Sequence, residues 1–439
     1  MSSVQPVHGV DRPHPVPADR QRGGTGTRQA GTQPAGTHLA GTHLAVTRRG
    51  GRIGVEQVPS IVPGPGELVI APEVAGLCGT DLQIIRGERD EPALVLGHEG
   101  VGRVVEVGPG VDPRLVPGTR VTVNPTHPRD PSFLLGHLVD GFLQERTLIA
   151  ASAVAAGLVL PVPPELDVRL APLLEPLAVA GYALGELGRC QPDALLVVGA
   201  GTVGHLLVRA APHRLGPGIR TVLVHHRSSR AAGPRGAEGA GHLDIGMSEL
   251  GPLPGVRRLA VALATPRTAT LAALDRVLAG QPAVVAVDII GGLPAGARSA
   301  LLPGVDLAAA RAATCGGVPS PAHRVHVSGP AGTPVELFGH RGVSDLHLAH
   351  AAAELVRRPD HYRDLITHTA SLQEAAAIMR HLSTSRDRTV QGRRLVKLGI
   401  TVARPPAPAS APAHPAAVTA DDRAGEATAA PSPRRGQGR

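Results

Sequence analysis

A thiol, an imidazole and two carboxylates in the first half of the chain, Cys78, His98, Glu99 and Glu175, are the donor types of a catalytic zinc site. They stand in the segments Cys78-Gly79-Thr80-Asp81, Gly97-His98-Glu99-Gly100 and Glu175-Pro176-Leu177. Cys78 and His98 are twenty residues apart, too far for a finger-like knuckle, so folding must bring them together. A site assembled that way leaves a coordination position open for water or substrate. Asp81 is placed to accept the second imidazole proton of His98 and orient the ring. Thr80 lies close enough to Cys78 for its hydroxyl to take the proton of an alcohol whose pKa zinc has lowered. Singly, each residue has a structural reading: Cys78 as a buried apolar group, His98 as a core or surface histidine, Glu175 as an acid favoured by a helix N-terminus. The combination argues for chemistry.

A second feature is the turn Gly199-Ala200-Gly201-Thr202-Val203-Gly204, which follows the apolar run Ala194–Val198 and opens the apolar segment Val203–Val208. In a chain with 55 glycines the motif alone says little, so its context carries the reading. Gly199 permits a tight turn, Gly201 lets backbone approach a pyrophosphate, and Gly204 allows close helix–strand packing. The phosphates then rest at the positive helix terminus, at Thr202 and Val203. An NAD-specific site normally has an acid at the end of the next strand. Here Thr221–Val224 runs into His225-His226-Arg227-Ser228-Ser229-Arg230, with no acid. Guanidinium binds a 2′-phosphate with paired hydrogen bonds, so His225, Arg227, Ser228 and Arg230 read as its contacts and NADP(H) is favoured over NAD(H). The alternative is a solvated basic loop after a drifted NAD site.

The elements that must carry these residues fall into two kinds. From Val46 to about residue 150, short apolar runs with Gly/Pro turns (Glu67–Ala71, Val101–Val107, Arg120–Val123) predict a β-rich unit. Beyond Leu170, Ala/Leu helix patterns alternate with the buried runs Ala194–Val198, Thr221–Val224 and Ala283–Val287, which predicts an α/β, doubly wound parallel sheet. Asp345–Val356 and Ser371–His381 read as helices, and Arg394–Gly399 as a last strand returning to the first unit. Residues 1–45, with the repeat Ala35-Gly-Thr-His-Leu and Ala40-Gly-Thr-His-Leu, and the Pro/Ala-rich residues 404–439 read as disordered tails.

Residues 97–111, Gly-His-Glu-Gly-Val-Gly-Arg-Val-Val-Glu-Val-Gly-Pro-Gly-Val, resemble the signature of zinc-containing medium-chain alcohol dehydrogenases, and Gly76-Leu-Cys-Gly-Thr-Asp81 is similar to that family's first-ligand segment. The resemblance covers roughly residues 46–400. It implies a GroES-like catalytic domain (46–185 with 341–403), a Rossmann domain (186–340) and zinc in the cleft between them. Glu175-Pro176-Leu177 matches the polyol, sorbitol-type branch, which also includes threonine dehydrogenases. By analogy Cys78, His98 and either Glu99 or Glu175 bind zinc, and the other carboxylate exchanges during turnover. Val287–Gly292 looks like the strand end beside the nicotinamide, and Leu337–Gly342 like the closing strand of the Rossmann sheet. Two departures concern the metal and the proton. Asn124–Leu135 is short and lacks cysteine, so no structural zinc is expected, and Gln83 stands where relatives carry a relay histidine.

The resemblance implies an oxidoreductase interconverting a secondary alcohol and a ketone on a polyol, sugar or cyclitol, an aminocyclitol of secondary metabolism included. A threonine-type amino alcohol and a non-catalytic nucleotide-binding relative are the rivals. Composition bounds the partners. Of the +8 net charge, residues 1–50 hold six Arg against two Asp and residues 404–439 five Arg against three acids, leaving the middle at +2. With five aromatic residues, no Trp and no basic groove, nucleic-acid binding is not expected. Lys397 is the only lysine. Cys78, Cys190 and Cys315 are too few and too scattered for a disulfide framework, and no secretory or membrane segment is evident, so a cytoplasmic protein is expected. Family analogy adds a homo-oligomer, dimer or tetramer.

Overall fold

The computed structural model describes residues 39–225 and 241–402, and two seven-stranded sheets dominate them. In the first, the order runs Ile366–Ser371, Lys397–Thr401, Leu68–Leu77, Glu99–Val107, Arg120–Val123 and Val159–Pro161, with Thr147–Ile149 on Leu68–Leu77. Its pairs are antiparallel except that Ile366–Ser371 lies parallel to the returning strand Lys397–Thr401. One continuous core of Val, Leu and Ile fills it, with Phe133 and Phe142 as its large aromatics.

The second sheet has the order His242–Gly246, Arg220–His225, Ala194–Val198, Leu259–Leu263, Val284–Asp288, Pro334–Phe338, all parallel, with Val325–Ser328 antiparallel at the edge. Every residue of Ala194–Val198 and Leu259–Leu263 is buried, because helices cover both faces. The chain leaves Ala194–Val198 toward one edge and later crosses to its other side at Leu259–Leu263. The crevice at that reversal is where doubly wound sheets bind ligands, and the Gly199 turn opens onto it.

Element bounds shift slightly from the expected ones. The helices run Asp345–Arg357 and Leu372–Thr384, the latter capped by Ser371, whose hydroxyl accepts from the Glu374 N–H. Arg393–Arg394 leaves the last strand to form a small hairpin with Thr389–Val390. The tail assigned to residues 1–45 needs correction: a strand begins at Leu39 and pairs with Arg52–Ile61. Ala45 is fully buried there, and His43 is held by Ser60 Oγ (2.8 Å) and Gln144 Oε1 (3.1 Å), so cross-strand partners order a segment whose own composition looks too polar. Residues 1–38 and 403–439 lie outside the described residues. The stretch Val168–Gly188 has the length and hydropathy of a membrane span, but 89% of its apolar window is buried inside the protein.

Asn124 ties the two halves together. Its Nδ2 donates to Val343 O (2.9 Å) and to Asp345 Oδ1 (2.7 Å), joining the loop after Arg120–Val123 to the start of Asp345–Arg357. Asn124→Ala leaves a buried carbonyl without its donor and is expected to cost about 1–3 kcal/mol, read as a lower denaturant midpoint.

Candidate functional site

Three neighbouring strands of the first sheet deliver the reactive side chains. Leu68–Leu77 ends at Leu77, and Cys78 caps the short helix Gly79–Ile85, its N–H donating to Asp81 Oδ2 at 2.8 Å. On the adjacent strand Glu99 lies directly opposite Gly76. Lys397 arrives from the strand on the other side, one residue before Leu398, the partner of Leu77. A Cβ on Gly76 would collide with both Lys397 and Glu99. The glycine is therefore the gap across which the two side chains meet: Lys397 Nζ is paired with Glu99 Oε2, both almost fully buried. Gly100 has φ +149° and no room for a Cβ beside Val74 O, which fixes the close strand approach that aims Glu99 inward.

Cys78, His98 and Glu99 converge as expected, with one donor atom from each lying within 4.8 Å of the others. His98 Nε2 is 3.5 Å from Thr80 Oγ1. Its Nδ1 faces Asp81 Oδ1 at 3.6 Å, longer than the expected hydrogen bond, and both atoms are buried without a partner. Glu175 occupies the first turn of Leu174–Gly188, half-buried and outside the tightest cluster. Burial and the Glu99 charge push its carboxyl up to about 7, against the pull of His98, Lys397 and His340. Burial opposes charge on His98 most strongly, yet Cys78, Asp81 and Glu99 together push it up to about 10. The pocket thus carries an excess of acidic groups that a divalent cation would neutralise.

The glycine turn has the tight bend expected at Gly199 and the close packing expected at Gly204. Gly199 has φ +116°, and a Cβ there would strike Ala264 O. Gly201 precedes the helix Thr202–Arg214 with open space where a Cβ would point, whereas a Cβ on Gly204 would overlap Gly199 O. Thr202 Oγ1 donates to Val396 O (2.8 Å), so its hydroxyl ties the helix to the first sheet, while Val203 is half-buried in the first turn. His225 ends Arg220–His225 and is buried. Arg227, Ser228 and Arg230 lie outside the described residues.

Several residues near the site were not singled out by motif. Lys397 is one; as the sole lysine of an arginine-rich chain it carried a compositional signal. His137 stacks on His98 with ring centroids 4.9 Å apart, and burial, then the His98 charge, push its imidazole down to about 2. Arg394 Nη2 reaches Ala200 O (3.4 Å), and Arg388 Nη2 lies 3.6 Å from where a Gly79 side chain would start, so two guanidiniums of the hairpin segment flank the crevice. An acid also reaches the end of the second strand from its neighbour: Asp244 Oδ1 accepts from His225 Nε2 at 3.0 Å.

Residues 64–160 match the alcohol dehydrogenase GroES-like domain. The chain is 30% identical over 173 residues to a zinc-type alcohol dehydrogenase-like protein of Haemophilus influenzae, covering 36% of this chain and 49% of the relative. It is 33% identical over 198 residues to glucose 1-dehydrogenase of Thermoproteus tenax, covering 40% and 56%. The chain thus matches about half the length of these relatives. Among solved structures, galactitol-1-phosphate dehydrogenase of Escherichia coli superposes with a TM-score of 0.58 at 18% identity, over 82% of this chain and 99% of that one, which is a likeness of fold.

Proposed function

We propose that the chain is a zinc-dependent, NAD(P)-linked oxidoreductase of the zinc-containing medium-chain alcohol dehydrogenase family, interconverting a secondary alcohol and a ketone on a polyol, sugar or cyclitol; the match of residues 64–160 to the GroES-like domain and the likeness to zinc-type relatives support it. The observation that carries this reading is the convergence of Cys78, His98 and Glu99 within 4.8 Å. A thiolate, an imidazole and a carboxylate are a zinc donor set, and the unpartnered Nδ1 of His98 beside Asp81 suits a ring whose other nitrogen is engaged by a metal. Cys78, His98 and Glu99 form the tighter set, and Glu175 is the carboxylate that exchanges with Glu99. Bound there, zinc supplies Lewis acidity that makes an alcohol a stronger acid, and a nicotinamide supplies the hydride acceptor.

The chain's own residues do the rest. Thr80 relays the substrate hydroxyl proton, its Oγ1 accepting it while its own proton passes outward to water, and its reach to His98 Nε2 supports a place beside the metal donors. Asp81 orients His98 while also holding the Cys78 turn through the backbone N–H. Lys397 restrains Glu99 on one oxygen. The Gly199–Gly204 turn takes the coenzyme pyrophosphate at the helix terminus, with Arg394 beside it at Ala200 O. NADP(H) is favoured over NAD(H) because the sequence after Val224 runs His225-His226-Arg227-Ser228-Ser229-Arg230, with no acid of its own to select the ribose hydroxyls. Asp244 comes from the neighbouring strand and is turned toward the His225 and His242 rings.

The test is a nicotinamide-absorbance screen of zinc-loaded protein with sorbitol, glucose, inositol and threonine, each with both coenzymes. Turnover of a polyol, sugar or cyclitol is expected, fastest with NADP. Gly204→Ala, which drives a methyl into Gly199 O, is expected to weaken coenzyme binding by roughly tenfold or more. Zinc-loaded protein that turns over no alcohol with either coenzyme would contradict the enzymatic reading.

A further inference from the structure

The only lysine of the chain is buried beside a metal donor, in a sequence that otherwise carries its positive charge on arginine. Its backbone is held on both flanks. Lys397 pairs with Ile366, its carbonyl accepts from Thr367 Oγ1 at 3.3 Å, and the next residue, Leu398, pairs with Leu77. The ammonium reaches across Gly76 to two acceptors, Glu99 Oε2 and Leu77 O (3.4 Å), the carbonyl just before Cys78. A Cβ on Gly76 would lie 2.8 Å from Lys397 Cε, 2.9 Å from Glu99 Oε2 and 3.1 Å from Lys397 Nζ. A gap that narrow passes a slim methylene stem ending in a point charge, and not a planar guanidinium fork. The position thereby escapes the arginine bias of the rest of the chain.

The two carboxylates offered to a metal are therefore unequal. Glu99 belongs to the tighter cluster with Cys78 and His98 and is tethered through Oε2, while its Oε1 takes no hydrogen bond from the described residues. Glu175, in the first turn of Leu174–Gly188, has neither a hydrogen bond nor an ion pair among the described residues. An ammonium bonded to a carboxylate neutralises part of its charge and sets a positive charge beside the site, so Glu99 is the weaker donor toward a dication. In the metal-free protein the pair neutralises a buried acid. With a dication bound, two cations compete for one carboxylate.

We propose that Lys397 is a positioning residue that makes Glu99 the releasable ligand: it keeps Oε2 occupied, leaves Oε1 alone for the metal, and receives the carboxylate when an alcohol oxygen takes its place. This rests on the zinc-site reading above and assigns the exchange of the two carboxylates to one residue of the returning strand. On release Glu99 stays paired with Lys397, so no unpaired charge is left in the buried site.

Zinc release from the loaded protein into excess 4-(2-pyridylazo)resorcinol, followed by colour, tests this without turnover. Removing the ammonium leaves Glu99 with the metal as its counter-charge, so release is expected to slow at least about tenfold in Lys397→Met. A purely structural lysine gives the opposite sign, because a loosened fold loses its metal sooner. In the Glu99→Gln background the same substitution should change release by less than about twofold. In a second arm, imidazole, a neutral donor, is titrated into the cobalt-substituted protein and followed in the visible spectrum. Its binding is expected to weaken at least about tenfold in Lys397→Met, where Glu99 no longer yields its place. Lys397→Gln, which keeps a hydrogen-bond donor and loses the charge, serves in both arms should Lys397→Met fail to fold. Release that is unchanged or faster, or slowed equally without Glu99, overturns the proposal and leaves the zinc-site reading intact. A parent protein that retains no zinc sinks that reading and this proposal with it.

Discussion

Cys78→Ala is expected to remove both the bound metal and the turnover. The thiolate is the softest donor of the cluster and the one that discriminates zinc from harder cations. Without it, His98 remains with carboxylates, one of which is engaged by Lys397. Losing the Lewis acid forfeits several kcal/mol of stabilisation, so turnover should fall by on the order of a thousandfold or more. The fold should survive, because Cys78 is only half-buried and its structural contact is the backbone N–H bonded to Asp81, which alanine retains. Metal analysis beside far-ultraviolet circular dichroism checks both halves. A variant that keeps its zinc and its rate would refute the assignment.

Lys397→Met should produce the largest loss of stability of any change outside the cores. Lys397 and Glu99 are 1% and 2% exposed, and removing the cation leaves a buried carboxylate without its counter-charge. Breaking such a pair costs about 3–5 kcal/mol, much of it the stranded partner, whereas replacing both members by neutral groups costs far less. Metal-free Lys397→Met is therefore expected to unfold at a clearly lower urea concentration, and Lys397→Met with Glu99→Gln to recover most of the difference. Equal losses in the single and double variants would mean that Lys397 acts through packing alone.

How much of this was legible follows from how each contact is made. Cys78 and His98 could be read because each lies in a short segment of fixed local geometry, a cap on a helix and the entry to a strand. The tight turn at Gly199 and the close packing at Gly204 were legible for the same reason. The buried strands were legible from unbroken apolar runs such as Ala194–Val198, all of whose residues are buried. Lys397 was not, since its partner Glu99 is 298 residues away and the two meet only because Gly76 leaves a gap between their strands. Asp244 reaches His225 through the parallel pairing of His242–Gly246 with Arg220–His225, a register that no local pattern encodes. Leu39–Ala45 failed in the opposite direction: a polar repeat suggested disorder, while Ser60 and Gln144, remote in sequence, supplied the hydrogen bonds that let His43 be buried. Asp81 was read correctly as a neighbour of His98, but its backbone contact to Cys78, which draws one oxygen away, appears only in three dimensions.

One ion shared by side chains from separate segments is the premise beneath the proton path. X-ray absorption at the zinc edge of the purified, zinc-loaded protein reads that premise without any substrate. The expected spectrum fits a single sulfur at about 2.3 Å with nitrogen and oxygen donors at about 2.0–2.2 Å, and the sulfur contribution vanishes in Cys78→Ala. A shell with no sulfur, or with several, would contradict the account.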